Sequence, residues 1–430
     1  MLKIENKNLI EREIFSKLVT HLDKLEITLI VGARQVGKTV LLGMLKNELI
    51  KKRKVNPDNI LYFNLDIMRD WEFFQNQSNL IEFLKEKSHK NKIYLIVDEA
   101  QRVPECGRFF KGVYDSNLNV KLILSGSSSL ELNTQFKESL TGRKRVFHVF
   151  SFSFFEFLMT RDKNLARILE EGKTPSFISK QKLNLLFEEY AVWGGYPRVV
   201  LSNTKEEKQE ILAELYTSYI EKDIVGFLKI KNKLGFSKLV KLLAGQTGQL
   251  VNISELSNSL NLDRGTIERY INAIEDTFVV SSLLPFFKNS RQEIIKQNKI
   301  YFNDSGLRNY ALGNFSLIKE RMDSGFVLEN AVFKEILLHL TVFGKIRFWR
   351  TKQGSEIDFL ILEREKIVPI EVKSNIKKTI IPSGIRSFIK TYIPERAAVV
   401  NLSLETTVKK ENTIIYYIYP FQLGRFLANE

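Results

Sequence analysis

Lys38 and Thr39 close the run Ile27 to Thr39, ITLIVGARQVGKT, in which an apolar stretch leads straight into G-x-x-x-x-G-K-T. That spacing predicts a strand followed by a phosphate-binding loop. Gly32 and Gly37 bracket a turn through Ala33, Arg34, Gln35 and Val36 whose backbone N–H groups can cradle two phosphates. Lys38 can reach the β and γ phosphates, and Thr39 can place its hydroxyl on Mg²⁺. A helix beginning near Lys38 would bring its positive end to the same point. The ligand this chemistry fits is ATP with Mg²⁺.

A pair of carboxylates stands where such a loop needs them. Lys92 to Glu99, KIYLIVDE, reads as a buried strand ending on Asp98 and Glu99. Asp98 can hold the hydration shell of Mg²⁺, and Glu99, one residue further out, can polarise the attacking water. Between Lys38 and Asp98 there is room for a helix, a strand at Asn59 to Asp66 and another helix, as a doubly wound sheet requires. A further strand, Val120 to Leu124, runs into Ser125-Gly126-Ser127-Ser128-Ser129. Ser127 is the expected γ-phosphate sensor; an ordinary Gly/Ser turn is the alternative. Arg143 and Arg145 follow, and Arg143 could reach a γ phosphate in its own chain or in a neighbouring subunit. A solvated basic turn would leave the same letters.

Further along, Phe147 to Leu158 is dense in aromatics, and the pattern returns at Tyr190 to Pro197, YAVWGGYP. Such rings can stack on bases, but core packing is the stronger expectation. Lys205 to Lys229 has a long helical pattern that includes Tyr216, Tyr219, Glu221, Lys222 and Asp223. Ile253 to Phe278 reads as helix, turn and helix, with apolar Ile267, Tyr270, Ile271 and Ile274 at three- and four-residue spacing. With VVSSLLPFF as a hairpin, this predicts a winged helix-turn-helix whose second helix offers Arg264, Thr266 and Arg269 to a DNA groove. Glu268, Glu275 and Asp276 dilute that charge, so a protein-docking role stands beside the DNA-reading one.

The C-terminal third carries a second acidic constellation. Gly325 to Leu340 is an apolar helical stretch bearing Glu329; Ile346 to Trp349, the segment from Glu356 to Leu360, and Lys366 to Val372 read as strands. Alternation puts Glu371 and Lys373 on one face. With Asp358 opposite them, Asp358 and Glu371 would make a Mg²⁺ site, Lys373 would orient a water, and Glu329 would complete the cluster. The pattern resembles the core of restriction-endonuclease-like nucleases. Ion pairing at a strand end would leave the same residues, and the fold can keep its carboxylates as a binding surface without cleaving.

The chain has 430 residues, a formal net charge of +15 and one cysteine, Cys106. The length exceeds one ordinary core, and the charge makes an anionic partner such as nucleic acid plausible. A lone cysteine excludes an internal disulfide framework. With no apolar run of transmembrane length and no signal-peptide core at the start, a cytoplasmic, non-membrane protein is expected.

Taken in order, GARQVGKT (32–39), IVDEAQ (96–101), LSGSSS (124–129), SLTGR (139–143), WGGYP (193–197), YINAIEDTFVV (270–280), KIYFNDSGLRN (299–309), GFVLENAVFKEI (325–336), IDFLI (357–361) and IEVK (370–373) resemble the prokaryotic AAA+ superfamily ATPases with an N-terminal AAA domain and a C-terminal DUF4143 domain. The resemblance implies ATP binding, hydrolysis with Asp98 and Glu99 in their usual roles, a winged-helix element and a restriction-endonuclease-like C-terminal fold. The expected class is α/β: an AAA-type P-loop ATPase domain over 1–150, a helical connection over 151–230, a winged helix over 231–310 and a nuclease-like domain over 311–430. Ser125-Gly126-Ser127 departs from the usual Thr-Gly pair only by close chemical substitution.

Overall fold

The computed structural model describes residues 9–89, 91–127, 140–218, 220, 225, 230, 232–287, 297–341 and 343–428. Internal contacts divide the chain into two units, Met1–Ser151 with Asp276–Phe278, and Phe152–Glu275 with Val279–Glu430.

In the first unit, β1 (Ile27–Gly32), β2 (Ile60–Asn64), β3 (Ile93–Asp98), β4 (Val120–Ser127) and β5 (Lys144–His148) form one sheet in the order β2-β3-β4-β1-β5. Every pairing is parallel. Parallel strands are covered on both faces, which is why β1 and β3 are apolar and buried along their whole length. Leu29, Val31, Leu95, Val97, Leu122 and Leu124 share one core with Leu80 and Leu84 of the helix Gln77–Ser88 and Phe110 and Val113 of the helix Cys106–Asp115. Because all strands run the same way, Gly32, Asn64, Asp98 and Ser127 end on one edge, with Gly32 beside Ser127 and Asn64 beside Asp98. β4 extends past the expected Leu124: Ser125, Gly126 and Ser127 pair with Ile30, Val31 and Gly32 and are strand, not turn.

The second unit begins with helices, including Phe154–Arg161 and Phe177–Trp193. A capping box between Ser153 and Glu156 starts the first of these. The aromatics of this region are core: Phe154, Phe157, Phe187 and Tyr190 are buried against one another. The tight turn at WGGYP is locked to the later FNDSGLRN stretch. The Asp304 carboxylate accepts from Gly195 N at 2.9 Å while also capping the helix Ser305–Leu312, and Asn309 Nδ2 donates to the carbonyl of Val192 at 2.8 Å. That bond satisfies a helix-end carbonyl that would otherwise be orphaned. The expected helix over 205–229 is described as Lys205–Leu215; Tyr219, Glu221, Lys222 and Asp223 lie outside the described residues.

Helices Lys233–Gly245, Ile253–Leu260 and Arg264–Asp276 precede an antiparallel pair, β6 (Val280–Leu283) and β7 (Lys299–Phe302). The chain leaving β6 continues onto the next sheet: Phe348 N donates to Leu284 O and Phe286 N to Phe348 O. After the helix Ser324–His339 come β8 (Lys345–Arg350), β9 (Glu356–Glu363) and β10 (Lys366–Lys373) as an antiparallel meander. The helix Ser383–Tyr392 then crosses to β11 (Arg396–Asn401), parallel to β10, and β12 (Thr406–Lys410) and β13 (Thr413–Ile418) complete the sheet β12-β13-β11-β10-β9-β8.

Candidate functional site

Gly37 caps the helix Lys38–Asn47 with φ at 98°, a backbone conformation that a side chain disfavours, and the turn before it leaves Arg34 and Gln35 exposed while Ala33 and Val36 are buried. Lys38 folds over this loop: its Nζ donates to the carbonyls of Gly32 at 3.0 Å and Ala33 at 2.9 Å. Burial pushes its ammonium below the ordinary lysine range, against the opposing pull of Glu99 and Asp98.

Across the strand edge, Thr39 Oγ1 donates to Asp98 Oδ2 at 2.6 Å, and Ser125 donates to the other Asp98 oxygen. Tyr62 also donates to Asp98 at 3.4 Å, and burial together with the Asp98 charge holds its phenol well above the usual range. Glu99 sits at φ 56°, a left-handed conformation that costs a non-glycine residue about 1 kcal/mol or more. Its carboxylate is fixed by Gln101 Nε2 and by Ser127 Oγ at 3.2 Å, and Gln101 itself donates to Ser127 at 2.8 Å. Gln101 closes the IVDEAQ stretch, two residues beyond Glu99. Ser127 lies at this edge, paired in register with Gly32, while Ser128, Ser129 and Ser139 lie outside the described residues.

Arg143 is not brought to the loop of its own chain. Its carbonyl accepts from Ile27 N, at the start of β1, and its side chain pairs with Asp115 at 2.7 Å. The length of β1, about 16 Å at a strand's rise per residue, separates it from the phosphate loop. Arg145 pairs in register with Thr28 at the same far end.

The C-terminal constellation does converge. β9 and β10 pair as far as Phe359 and Ile370, which leaves Asp358 and Glu371 as the next residues on the two strands, and Asp358 Oδ2 accepts from Val372 N at 2.8 Å. Lys373 Nζ lies 2.7 Å from Glu371 Oε1, whereas the buried Glu371 Oε2 has no hydrogen-bond partner. Tyr301 donates to Glu329 at 2.6 Å. Burial and the Asp358 charge push both Glu329 and Glu371 up to about 8, and burial raises Asp358 as well. Lys299, only 2% exposed, enters from β7, pairs with Glu356 and stands 3.8 Å from Glu329. Burial opposes its charge, but Glu329, Asp358 and Glu356 together raise its pKa. Lys299 and Tyr301 are the members sequence reasoning missed, although both stand in the KIYFNDSGLRN stretch.

Among the described residues, no three His, Cys, Asp or Glu side chains are arranged to hold a metal ion. The buried positive charge in the cluster is Lys299, whose direct partners are Glu329 and Glu356, with Lys373 on Glu371.

In the helix-turn-helix region, Arg264 and Arg269 are exposed, Arg269 lying 5.7 Å from the Tyr270 ring centre. Thr266 is instead engaged at the helix start, its hydroxyl donating to Asp263 at 2.6 Å. No described helix is long and apolar enough to cross a membrane.

Comparison with known proteins finds family matches to three stretches of the chain. An AAA domain family matches residues 24–158, a domain of unknown function (DUF8612) matches 184–317, and a domain of unknown function (DUF4143) matches 324–421. An uncharacterized protein of Haemophilus influenzae is 28% identical over 86% of this chain and 88% of its own length. An uncharacterized protein of Methanocaldococcus jannaschii is 28% identical over 92% of this chain and 85% of its own. Among solved structures, AMPPCP-bound DnaA from Aquifex aeolicus overlaps 61% of this chain and 86% of its own at 14% identity and a TM-score of 0.27, too low to carry an argument. The chain therefore combines an N-terminal AAA domain with a C-terminal DUF4143 domain.

Proposed function

We propose that the protein is a Mg²⁺-dependent ATPase whose nucleotide state governs the engagement of its basic second unit with an anionic partner, DNA being the leading class. The hydrogen bond of 2.6 Å between Thr39 and Asp98 carries the reading, because it joins a hydroxyl and a carboxylate that are the two protein donors a hydrated Mg²⁺ needs beside a phosphate loop. When bound, Mg²⁺ would neutralise charge developing on the phosphate oxygens. Lys38 binds the β and γ phosphates by exchanging its carbonyl partners for phosphate oxygens. Glu99 orients the attacking water, and Ser127 with Gln101 holds the Glu99 carboxylate in place. Lys38→Ala should abolish ATP binding, while Glu99→Gln should bind ATP with turnover reduced about 100-fold or more. Unchanged hydrolysis in both purified variants would refute the site.

A second reading is a restriction-endonuclease-like C-terminal domain with metal-dependent cleavage. The order helix, three antiparallel strands, helix and parallel strand over 324–401 supports that fold, and the convergence of Glu329, Asp358, Glu371 and Lys373 supports the site. With Lys299 paired to Glu329 and Glu356, the cluster as it stands favours a binding surface over a cleaving one. Incubating plasmid and single-stranded substrates with Mn²⁺ tests this: cleavage that vanishes in Asp358→Ala would establish the nuclease. The helix-turn-helix can equally grip a protein, in which case binding to nucleic acid fails at every salt concentration.

A further inference from the structure

Arg12 precedes the helix Phe15–His21, whose first turn begins on the Arg12 carbonyl. Its side chain is 6% exposed and runs to the phosphate loop. Nη1 donates to Val36 O and Nη2 to Phe150 O, each at 2.8 Å. A Cβ on Gly37 would stand 3.5 Å from the same Nη1, so the guanidinium lies against the last turn of the loop. The planar peptide that joins Val36 to Gly37 points its C=O and N–H in opposite directions. Holding the Val36 carbonyl toward Arg12 therefore turns the Gly37 N–H to the opposite side of that peptide.

The far end of the fork touches the segment by which the chain leaves the first unit. A second observation ties that segment to the loop: Val149 N donates to Val31 O at 2.7 Å, and a Cβ on Gly32 would meet Val149 O at 2.1 Å. Residues 149–150 thus flank the entrance to the loop, and Arg12 bridges them to its exit. A guanidinium suits this task because its donors form a rigid fork, so that two carbonyls are held at a set separation.

We propose that Arg12 is a positioning residue for the nucleotide and the strut that transmits phosphate-loop state to the 148–151 exit segment. The inference rests on the nucleotide reading above. In purified full-length protein, Arg12→Ala should raise the KM for Mg-ATP roughly tenfold while kcat changes less than about threefold. Arg12→Lys keeps the charge and the stem but cannot bridge both carbonyls, and should raise KM by about threefold. It serves the same purpose if the alanine variant does not fold. Hydrogen exchange with ADP as the probe separates the two roles: in the wild type ADP should slow exchange over both 32–39 and 148–151, and in the variants over 32–39 alone. A wild-type KM in either folded variant, or equal ADP protection of 148–151 in them, overturns the proposal. Wild-type protein that shows no ADP protection at 32–39 overturns the nucleotide reading itself and this inference with it, so the two failures are distinct.

Discussion

Thr39 Oγ1 and Asp98 Oδ2 lie 2.6 Å apart although they come from a helix start and a strand end far apart in sequence. The contact exists because β1 and β3 run parallel, each separated from the other by β4, so that both C-terminal ends open on one edge. Ser125 on the intervening β4 donates to the other Asp98 oxygen and fixes the carboxylate's rotation. Hydroxyl, carboxylate and lysine are thereby gathered at one end of the sheet.

Gln101 should act through Glu99. Its amide holds both Glu99 and Ser127, so Gln101→Ala loosens the carboxylate proposed to orient water, leaving it to the Ser127 contact, while the phosphate loop stays intact. We expect kcat to fall about tenfold with the KM for ATP little changed, measured by steady-state hydrolysis. A rise in KM with unaltered kcat would assign Gln101 to nucleotide binding instead.

Arg143 cannot serve the loop of its own chain, since it stands at the opposite end of β1 and pairs with Asp115. At dilutions where the protein is monomeric, Arg143→Ala should hydrolyse ATP within about twofold of wild type. Any contribution of this arginine should emerge only as concentration rises and subunits associate. Loss of turnover in the variant at every dilution would contradict the placement.

Removing Lys299 leaves Glu329, Glu356 and Asp358 without their buried counter-charge. Lys299→Met should destabilise the second unit by about 3–5 kcal/mol, with part of the loss restored by millimolar Mn²⁺ occupying the vacated charge position. Thermal melts with and without Mn²⁺ measure both effects. A variant that melts like wild type and ignores Mn²⁺ would remove Lys299 from the cluster's energetics.

Asp323 sets an acid limit on stability. Burial alone would raise its pKa, but its hydrogen bonds from Arg321 and its ion pair with the fully buried Arg308 lower it to about 2 from an ordinary 3.8. Because the folded pKa is depressed, the stabilisation is complete above pH 3.8 and is lost as pH falls from there through about 2. It amounts to about 2 kcal/mol. Asp323→Asn should melt lower than wild type at pH 7, and the gap should narrow across that acid window. A gap that stays constant down to pH 2 would show that ionisation of Asp323 is not what stabilises the network.

Much of the first unit was legible because its strands are buried on both faces and read as unbroken apolar runs, and because the phosphate loop is local: Gly32 to Thr39 are consecutive and their chemistry needs only one turn. Boundaries were less so. β4 runs on through Ser125 to Ser127, since pairing with β1 overrides the turn preference of Ser and Gly. WGGYP and FNDSGLRN, conspicuous as motifs, proved to be one interlocked scaffold through Asp304 and Gly195.

What the amino-acid order determined by itself, then, was the identity of groups that act with their sequence neighbours: the loop, the strand ending on Asp98 and Glu99, and the Glu-x-Lys of β10. Tertiary structure decided which distant groups share a dielectric. It put Arg12 on the Val36 carbonyl, Gln101 and Ser127 on Glu99, and Lys299 from β7 beside Glu329, and it placed Arg143 at the end of β1 away from the phosphate loop. The reason is physical: hydrogen bonds and buried charges act over a few ångströms, and only the strand order and helix packing determine which residues come that close.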